Sequence, residues 1–454
     1  MKNKIVLIGA GSAVFSLSMI KDLCLTKNLS GSEVCLVDIS ESRLDTAYKL
    51  CCRYAKELGA DLIITKTVDR LEALQGADFV VNTALACGYA KMNDGYKVAE
   101  SFGYHYGGSL HIMHDEGFWI NFYQLKLIED VYLDTRRIAP DAWYILLANP
   151  VIAASTMLGR KYNDPKVVAL CEGPTTVYPL LEKLGLDKQY VSFELSGCNH
   201  YIWITKMNYK GEDAFPLVDK WIEENGNNPE KTVGQVCPKV LDMYKTFGAI
   251  PIGDTYSVGG GSNCWWYYSD KETEEEFNEN PKQVWERYFK GCENRIKDIE
   301  RYAADETVKL TEIYEPVKSE EVIIDMIEAL ACDAEKKIIV NIMNDRNYVP
   351  GLPLDVSVEI PAICNKNGIR GIATNGLPRA IIGHILADRI GPIEIELEAM
   401  ATRDEELLVD LVMMDHQTKS RKEAGDFVDA ILNLPWNGEM KEHYRGEGSK
   451  RAVK

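Results

Sequence analysis

The sequence lacks long apolar runs, clusters of basic residues and paired cysteines. No stretch approaches the roughly 18 uninterrupted apolar residues that span a bilayer, so we expect no membrane segment. A formal net charge of −18 argues against nucleic-acid binding, which needs clustered Lys and Arg. The twelve cysteines show no paired spacing and the first residues do not resemble an export signal. We therefore expect reduced thiols in a cytoplasmic protein.

The chain of 454 residues is long enough for two substantial domains. Short apolar segments alternate with helix-length segments up to about Leu186, which predicts a parallel sheet. Residues 191–209 then predict a β-hairpin, so we place the boundary near Gly197. We expect an α/β protein with an N-terminal Rossmann domain at 1–196. A C-terminal α+β lobe at 197–454 would bind substrate and form oligomer contacts.

Apolar periodicity predicts the individual elements. The predicted strands are 4–8, 33–37, 62–64, 79–83, 143–148, 167–171 and 356–359, and the predicted helices are 13–25, 42–58 and 420–434. The charged segment 270–304 also indicates helix, whereas 248–269 is a Gly-rich, aromatic-rich loop that we expect to line a cleft.

The first predicted strand is followed by Gly9, Ala10, Gly11 and Ser12 and then by a helix. Backbone N–H groups in such a turn can approach a pyrophosphate at a helix N-terminus. Asp38 ends the second strand, where a carboxylate suits ribose hydroxyls and would repel a 2′-phosphate, which favours NAD over NADP. The alternative is a Rossmann-like sheet that binds another ligand.

Other polar residues lie at the ends of later predicted strands, where ligands of parallel sheets collect. Asn82 is a candidate for the cofactor site and Asn149 for the substrate site, although either could cap a turn. Cys171 ends a buried strand and His200 lies in a turn, so both could point toward one crevice. A thiolate and an imidazole can hold a divalent ion, but from spacing alone structural roles are the commoner alternative.

Together these residues resemble a known family, the NAD- and metal-dependent glycosidases of glycoside hydrolase family 4. The resemblance extends over nearly the whole chain. It is carried by Gly9-Ala10-Gly11-Ser12, Asn149-Pro150-Val151, Cys171-Glu172-Gly173-Pro174, Cys198-Asn199-His200, Pro251-Ile252-Gly253-Asp254, Val358-Glu359-Ile360-Pro361 and Asn367-Gly368-Ile369.

The resemblance implies that Cys171 and His200 hold a divalent metal, usually manganese, and that Asn149 contacts the sugar. It implies a small glycoside as substrate, an α-glucoside, α-galactoside or α-uronide. Hydrolysis would proceed by oxidation at C3, loss of the C2 proton, elimination, water addition and re-reduction. It also implies subunit pairing, so we expect a homodimer or homotetramer.

Four further residues are candidates for the chemistry. Asp254 is the first candidate for the base at C2 and Tyr256 the second, the alternative for both being loop scaffolding. Glu172 is the candidate general acid, or else a carboxylate favoured by a helix N-terminus. Asp115 is placed near the sugar, or at the start of a helix.

Two other functions compete with the glycosidase. One is an NAD-dependent 2-hydroxyacid dehydrogenase, because lactate and malate dehydrogenases share this type of N-terminal domain and order of loops. The other is a non-catalytic NAD-sensing protein, which needs no metal. Sugar release without net NADH formation distinguishes the glycosidase from both.

Overall fold

The computed structural model describes residues 2–114, 116–257, 264–277 and 279–450. Its strands are β1 (Lys4–Ile8), β2 (Glu33–Val37), β3 (Ile63–Thr67), β4 (Phe79–Asn82), β5 (Trp143–Leu146), β6 (Val167–Ala169), β7 (Val191–Cys198), β8 (Tyr201–Tyr209), β9 (Glu212–Asp213), β10 (Ile250–Ile252), β11 (Lys336–Met343), β12 (Ser357–Asn365) and β13 (Gly368–Gly371).

The helices surround these strands. They are α1 (Ala13–Leu25), α2 (Glu41–Leu58), α3 (Arg70–Ala73), α4 (Gly88–Ser101), α5 (Phe118–Ile138), α6 (Val151–Tyr162), α7 (Val177–Lys183), α8 (Phe215–Asn225), α9 (Pro238–Phe247), α10 (Lys271–Glu276), α11 (Pro281–Ala304), α12 (Leu310–Ile313), α13 (Ile323–Cys332), α14 (Arg379–His384), α15 (Gly391–Thr402), α16 (Glu405–Met413), α17 (Arg421–Leu432) and α18 (Gly438–Arg445). Two 3₁₀ turns, Gly173–Thr176 and Gly253–Thr255, and one π-helical segment, Ile385–Ile390, belong to the site described below.

Nine strands of the described chain form one sheet, in the order β13-β12-β11-β6-β5-β4-β1-β2-β3. Strands β1 to β6 are parallel to their neighbours within this group, whereas β11, β12 and β13 are antiparallel. The order β3-β2-β1-β4-β5-β6 is that of a Rossmann domain, which confirms the predicted fold. The strand order reverses between β1 and β4, so ligands are expected at their carboxyl ends.

Side chains of one strand enter two different cores because successive residues point to opposite faces of a sheet. Val6 packs in a cluster with α5 and α6, whereas Ile5 and Leu7 pack in a cluster with α1, α2 and α13. Strand β4 is buried along its whole length. Helices on both faces therefore explain why these strands are continuous apolar runs rather than alternating ones.

The second predicted domain contributes to the first sheet. Asn341 on β11 pairs with Ala169 on β6, so β11, β12 and β13 extend the N-terminal sheet at one edge. A smaller sheet of β10, β8, β7 and β9 begins with the predicted hairpin. The position predicted for the domain boundary, Gly197, lies inside β7, and the division at that residue stays a prediction.

Several predicted elements differ from the observed ones in length. Helix α1 matches its prediction, but the predicted strand 356–359 continues to Asn365 and its partner β11 was not predicted. The segment 270–304 is two helices, because Asn280 caps a new helix that begins at Pro281. Searched over the described residues, no helix combines the length and apolar character that crossing a bilayer requires.

Candidate active site

The turn after β1 packs closely against the segment that follows β4. The N–H groups of Gly9 and Ala10 each donate to the carbonyl of Val37 at 2.9 Å. Gly9 has φ +92°, and a Cβ there would lie 2.6 Å from Cα of Ala84. Only glycine fits this position, so the close approach of the two strand ends depends on it.

Asp38 braces the same turn from β2. Its Oδ2 accepts the N–H of Gly11 at 2.8 Å and its Oδ1 accepts the N–H of Ser40 at 2.9 Å. Ser12 is exposed at the start of α1, and Ile39 is 97% exposed beside Asp38. An exposed hydroxyl at a helix N-terminus, next to a carboxylate and an apolar side chain, suits a dinucleotide.

Asn82 supports this turn from the end of β4. The residue is fully buried at the end of β4. Its Nδ2 donates to Oη of Tyr144 at 2.8 Å, and its Oδ1 accepts the N–H of Ala84 at 3.1 Å. These contacts hold residues 83–84, and a role of Asn82 in the cofactor site stays a prediction.

Cys171, His200 and Asp254 meet beyond the carboxyl end of β6. One ligand atom of each residue lies within 4.8 Å of the others. Nε2 of His200 is 3.4 Å from Oδ2 of Asp254, and the imidazole is only 4% exposed. Cys171 follows β6, so the three side chains lie at the same edge of the sheet as the turn after β1. The two predicted metal residues are thus brought together, and Asp254 joins them.

The Asp254 turn is docked by close contacts on both sides. Gly253 has φ +61° and a Cβ there would lie 2.7 Å from Cα of Gly173, so a side chain would separate the two loops. The N–H of Gly253 donates to Thr176 Oγ1 at 2.8 Å. On the other side, Thr255 Oγ1 donates to the carbonyl of Ile202 at 2.9 Å and accepts its N–H at 2.7 Å.

Buried charged residues lie beside the metal candidates. Glu116 and Arg389 are both 0% exposed and form a two-point ion pair, with both N···O distances at 3.0 Å. Glu359 on β12 is buried, and Asn199 donates to its Oε2 at 3.4 Å. Burial raises the pKa of Glu359 to about 7, and the charge of Asp254 adds to this.

Burial also raises the pKa of the Cys171 thiol well above its ordinary value, with smaller contributions from the charges of Glu359 and Asp254. A thiolate in this position needs a compensating positive charge. A divalent cation among the three ligand atoms would supply that charge, because metal binding deprotonates a coordinating thiol.

Sequence reasoning assigned no role to Glu116, Glu359 or Arg389. Each is a charged residue within or beside an apolar segment, as Glu359 is between Val358 and Ile360. Charged side chains are rarely fully buried without a partner, so that pattern is the signal that could have identified them.

Glu172 is exposed and its carboxyl group lies against Glu321 rather than among the three ligand atoms. Burial, followed by the hydrogen bond and charge of Glu172, raises the pKa of Glu321 to about 9. A proton on Glu321 lets its carboxyl group approach that of Glu172. Glu172 thus lies on the outer side of Cys171, toward solvent.

Three predicted site residues remain: Tyr256, Asn149 and Asp115. Tyr256 is partly buried just after the Asp254 turn, and burial raises the pKa of its phenol. Asn149 is partly buried and immediately precedes Pro150 and α6. Asp115 lies outside the described residues. The structure therefore places Tyr256 next to Asp254. Asn149 lies in the short segment between β5 and α6.

Comparison with known proteins identifies the family. The sequence model of the family described as "Family 4 glycosyl hydrolase" matches residues 4–186, and the model of the C-terminal domain of the same family matches residues 195–418. The chain belongs to this family. It is a glycoside hydrolase, which confirms the resemblance predicted from its motifs and excludes both the 2-hydroxyacid dehydrogenase and the NAD-sensing alternatives.

Curated relatives of this family 4 chain are similar over its length. The α-glucosidase of Erwinia rhapontici is 24% identical over 473 residues, covering 97% of this chain and all of that protein. The α-galactosidase of Bacillus subtilis (strain 168) is 24% identical, covering 95% of this chain and 97% of that protein.

Solved structures share the fold. A 6-phospho-α-glucosidase from gut microorganisms, in complex with NAD and Mn²⁺, has a TM-score of 0.80 at 19% identity and covers 95% of this chain and 98% of its own. Lactate dehydrogenase of Eimeria maxima, with NADH and oxamate, has a TM-score of 0.52 at 14% identity, covering 88% and 95%. The predicted dehydrogenase-like architecture is therefore confirmed.

Proposed function

We propose that this family 4 hydrolase cleaves the O-glycosidic bond of small α-glycosides, using NAD and a divalent metal ion. Mn²⁺ is the metal ion to use in the test. The observation that carries the proposal is the cluster of Cys171, His200 and Asp254 at the same sheet edge as the Gly9–Ser12 turn. The names of the full-length relatives support α-glucosides and α-galactosides as the first substrates to test.

The residues present fit both groups. The thiol of Cys171 and the imidazole of His200 make a mixed S, N donor pair, which accepts divalent first-row metals and leaves positions for substrate oxygens, while Asp254 borders this pair. At the other site Gly9, Gly11, Ser12 and Asp38 provide the close backbone approach and the carboxylate that a dinucleotide requires.

When bound, NAD⁺ would supply a hydride acceptor for C3 of the sugar, and the metal ion an electrophile for the oxygens on C2 and C3. The protein must then remove the C2 proton, which a neighbouring carbonyl acidifies. Asp254 is the proposed base, because its carboxylate borders His200 and its side chain remains 35% exposed. Tyr256, just after it in the chain, is the second candidate.

Glu172 is the proposed general acid for the departing oxygen. It adjoins Cys171 in the chain and is exposed, and its carboxyl group would turn from Glu321 toward the cluster to reach the departing oxygen. Asn149, at the sheet edge, is proposed to hold the sugar, and a role of Asp115 near the sugar stays a prediction from the sequence. Water that enters after the aglycone leaves would complete the hydrolysis. A cytoplasmic location and a homodimer or homotetramer stay predictions.

The test is an assay of 4-nitrophenyl α-glucoside and α-galactoside with NAD⁺, Mn²⁺ and a thiol reductant. We expect nitrophenol release that requires both NAD⁺ and Mn²⁺ and produces no net NADH absorbance. Cleavage that continues after removal of both groups would contradict the proposal, as would steady accumulation of NADH.

A further inference from the structure

The hydroxyl of Thr176 joins the two loops that carry the proposed chemistry. Its Oγ1 donates to the carbonyl of Gly173 at 2.8 Å and accepts the N–H of Gly253 at 2.8 Å. Gly173 lies two residues after the metal candidate Cys171. Gly253 directly precedes Asp254, the proposed base. One side chain therefore bridges backbone groups of both loops.

The bridge continues to the metal candidates. The N–H of Gly173 donates to Sγ of Cys171 at 3.4 Å. Hydrogen bonds thus run from the thiol, through Gly173 and the hydroxyl of Thr176, to Gly253. Because Asp254 is the next residue in the chain, a displacement of either loop changes the distance between the base and the metal candidates.

The two loops also touch through their glycines. A Cβ on Gly253 would lie 2.7 Å from Cα of Gly173, and a Cβ on Gly173 would lie 3.7 Å from Cα of Gly253. Both glycines are buried. The N–H of Gly253 therefore has no ready access to water if the acceptor on Thr176 is lost.

The bridge requires a group that donates and accepts at the same point. A hydroxyl does both, whereas the second methyl group of valine, which replaces it in a side chain of similar shape, does neither. The neighbouring Thr175 offers a comparison within the same 3₁₀ turn. Its Oγ1 donates to the carbonyl of Glu172 at 2.7 Å, which is a contact within one loop.

Asp254 lies between two anchored neighbours. Gly253 is held by Thr176, and on the other side Thr255 exchanges two hydrogen bonds with Ile202. We propose that Thr176 is a positioning residue that fixes the distance between the base and the metal candidates. The inference rests on the proposed function, in which Asp254 removes the C2 proton and must lie within hydrogen-bond reach of it.

Thr176→Val removes the bridge and keeps the shape of the side chain. With the better of the two 4-nitrophenyl α-glycosides, we expect kcat to fall about 10- to 100-fold, because a shift of about 1 Å at a reacting group costs up to that factor. NAD⁺ affinity should stay at the wild-type value, since the turn braced by Asp38 is not altered. Thr176→Ser keeps the hydroxyl and should recover most of the lost turnover.

Deuterium at C2 of the substrate separates positioning from general damage. A displaced base makes removal of the C2 proton the slow step, so deuterium there should slow Thr176→Val by a larger factor than wild type. A smaller amount of folded protein would lower the rates with both isotopes equally and leave this factor unchanged. The control is Thr175→Val, in which the N–H of residue 175 still donates to the carbonyl of Glu172 at 2.8 Å. It should keep the wild-type turnover and the wild-type factor.

Gly253→Ala tests the same spacing without changing the hydroxyl. Its Cβ would meet Gly173, so the two loops must separate, and we expect lower turnover with the same rise in the deuterium factor. The control is Gly248→Ala. Gly248 has a similar φ of +68°, but its Cβ would meet no described atom within 4 Å, so turnover and factor should stay at wild-type values. This pair of variants decides the question if melting curves show that Thr176→Val does not fold.

The outcomes are distinguishable. Wild-type turnover in folded Thr176→Val, or lower turnover with an unchanged deuterium factor, would overturn the inference and leave the proposed function intact. If Gly253→Ala replaces that variant, the same two results overturn the inference. Cleavage by the wild-type protein that requires neither NAD⁺ nor Mn²⁺ would contradict the proposed function and the inference with it.

Discussion

The nucleotide turn and the metal cluster lie at the same sheet edge but are built in different ways. The turn uses backbone groups of Gly9, Ala10 and Gly11, braced by the carboxylate of Asp38 from the next strand. The cluster uses side chains of Cys171, His200 and Asp254, which come from separate segments of the chain. A site made of adjacent backbone groups tolerates most substitutions elsewhere in the chain. A site made of side chains depends on every loop that carries one of those side chains.

This difference predicts that the two sites can be broken separately. The largest effect is expected for Cys171→Ser, which removes the thiolate from the cluster. Activity should fall by at least about 1,000-fold, because metal catalysis contributes several kcal/mol and each ~1.4 kcal/mol is a factor of ten. NAD⁺ affinity, measured by calorimetry, should stay at the wild-type value.

The matched control for Cys171→Ser is Cys364→Ser, a buried cysteine on β12 that belongs to the apolar core. It should keep both activity and Mn²⁺ binding. If Cys171→Ser retains full activity, the cluster is not the metal site and the separation of the two sites fails.

The contrast also explains what could be predicted from the sequence. The nucleotide turn is contiguous, so strand, glycines, helix and the later Asp38 are visible as a local pattern. The pairing of Cys171 with His200 required the family resemblance, because nothing in their spacing indicates that they meet. The clamp of Glu116 by Arg389 joins residues 273 positions apart, and no local pattern encodes such a contact.

The fold shows the same limit. Strand β12 was predicted in part, but its pairing with β11, and of β11 with β6, depends on long-range register that periodicity does not contain. Asn82 shows a further limit of the sequence. Its position at a strand end suggested ligand binding, but the sequence did not show that its amide also contacts Tyr144 and Ala84.

The next largest effect is expected at the nucleotide site, for Gly9→Ala. Alanine at φ +92° is strained, and its Cβ would meet the backbone of Ala84, so the turn must shift. We expect the dissociation constant for NAD⁺ to rise about tenfold or more, since such strain amounts to roughly 1–3 kcal/mol. Mn²⁺ affinity should not change.

Gly59→Ala is the control for this variant. Gly59 also has a positive φ, +63°, but a Cβ there meets nothing within 4 Å. The two variants share the backbone strain and differ in the clash. Similar losses of NAD⁺ affinity in both would show that general destabilisation, rather than the shape of the turn, causes the defect.

A smaller effect is expected for Thr255→Val, which loosens the loop that carries Asp254. The change removes both hydrogen bonds to Ile202 and leaves its N–H and carbonyl without that partner. We expect turnover to fall about tenfold and stability by roughly 1–3 kcal/mol, the range for buried groups that lose a hydrogen bond. Thr46→Val, on the exposed face of α2, should leave turnover unchanged.

The smallest effect is a pH dependence of stability from Glu396. Burial raises its pKa from 4.5 to about 8, with Asn121 and Arg389 opposing the shift and Glu116 adding to it. The folded state therefore keeps a proton that the unfolded state has lost, so this contribution to stability falls as the pH rises from 4.5 toward 8.

The Glu396→Gln variant should lack this contribution. Between pH 5 and pH 8 we expect the melting temperature of wild type to fall by about 2 °C relative to that of the variant. A difference that stays constant with pH would show that Glu396 is charged in the folded protein.

The central claim is that the glycosidic bond is cleaved by elimination after transient oxidation of the sugar, and isotope exchange tests it most directly. Hydrolysis of a 4-nitrophenyl α-glycoside in D₂O, with NAD⁺ and Mn²⁺ present, should yield a sugar that carries deuterium at C2 and the original hydrogen at C3. The C2 proton would be lost to Asp254 and replaced from solvent, whereas the C3 hydrogen would return from the cofactor. A released sugar without deuterium at C2, made by an enzyme that still requires NAD⁺, would contradict the account.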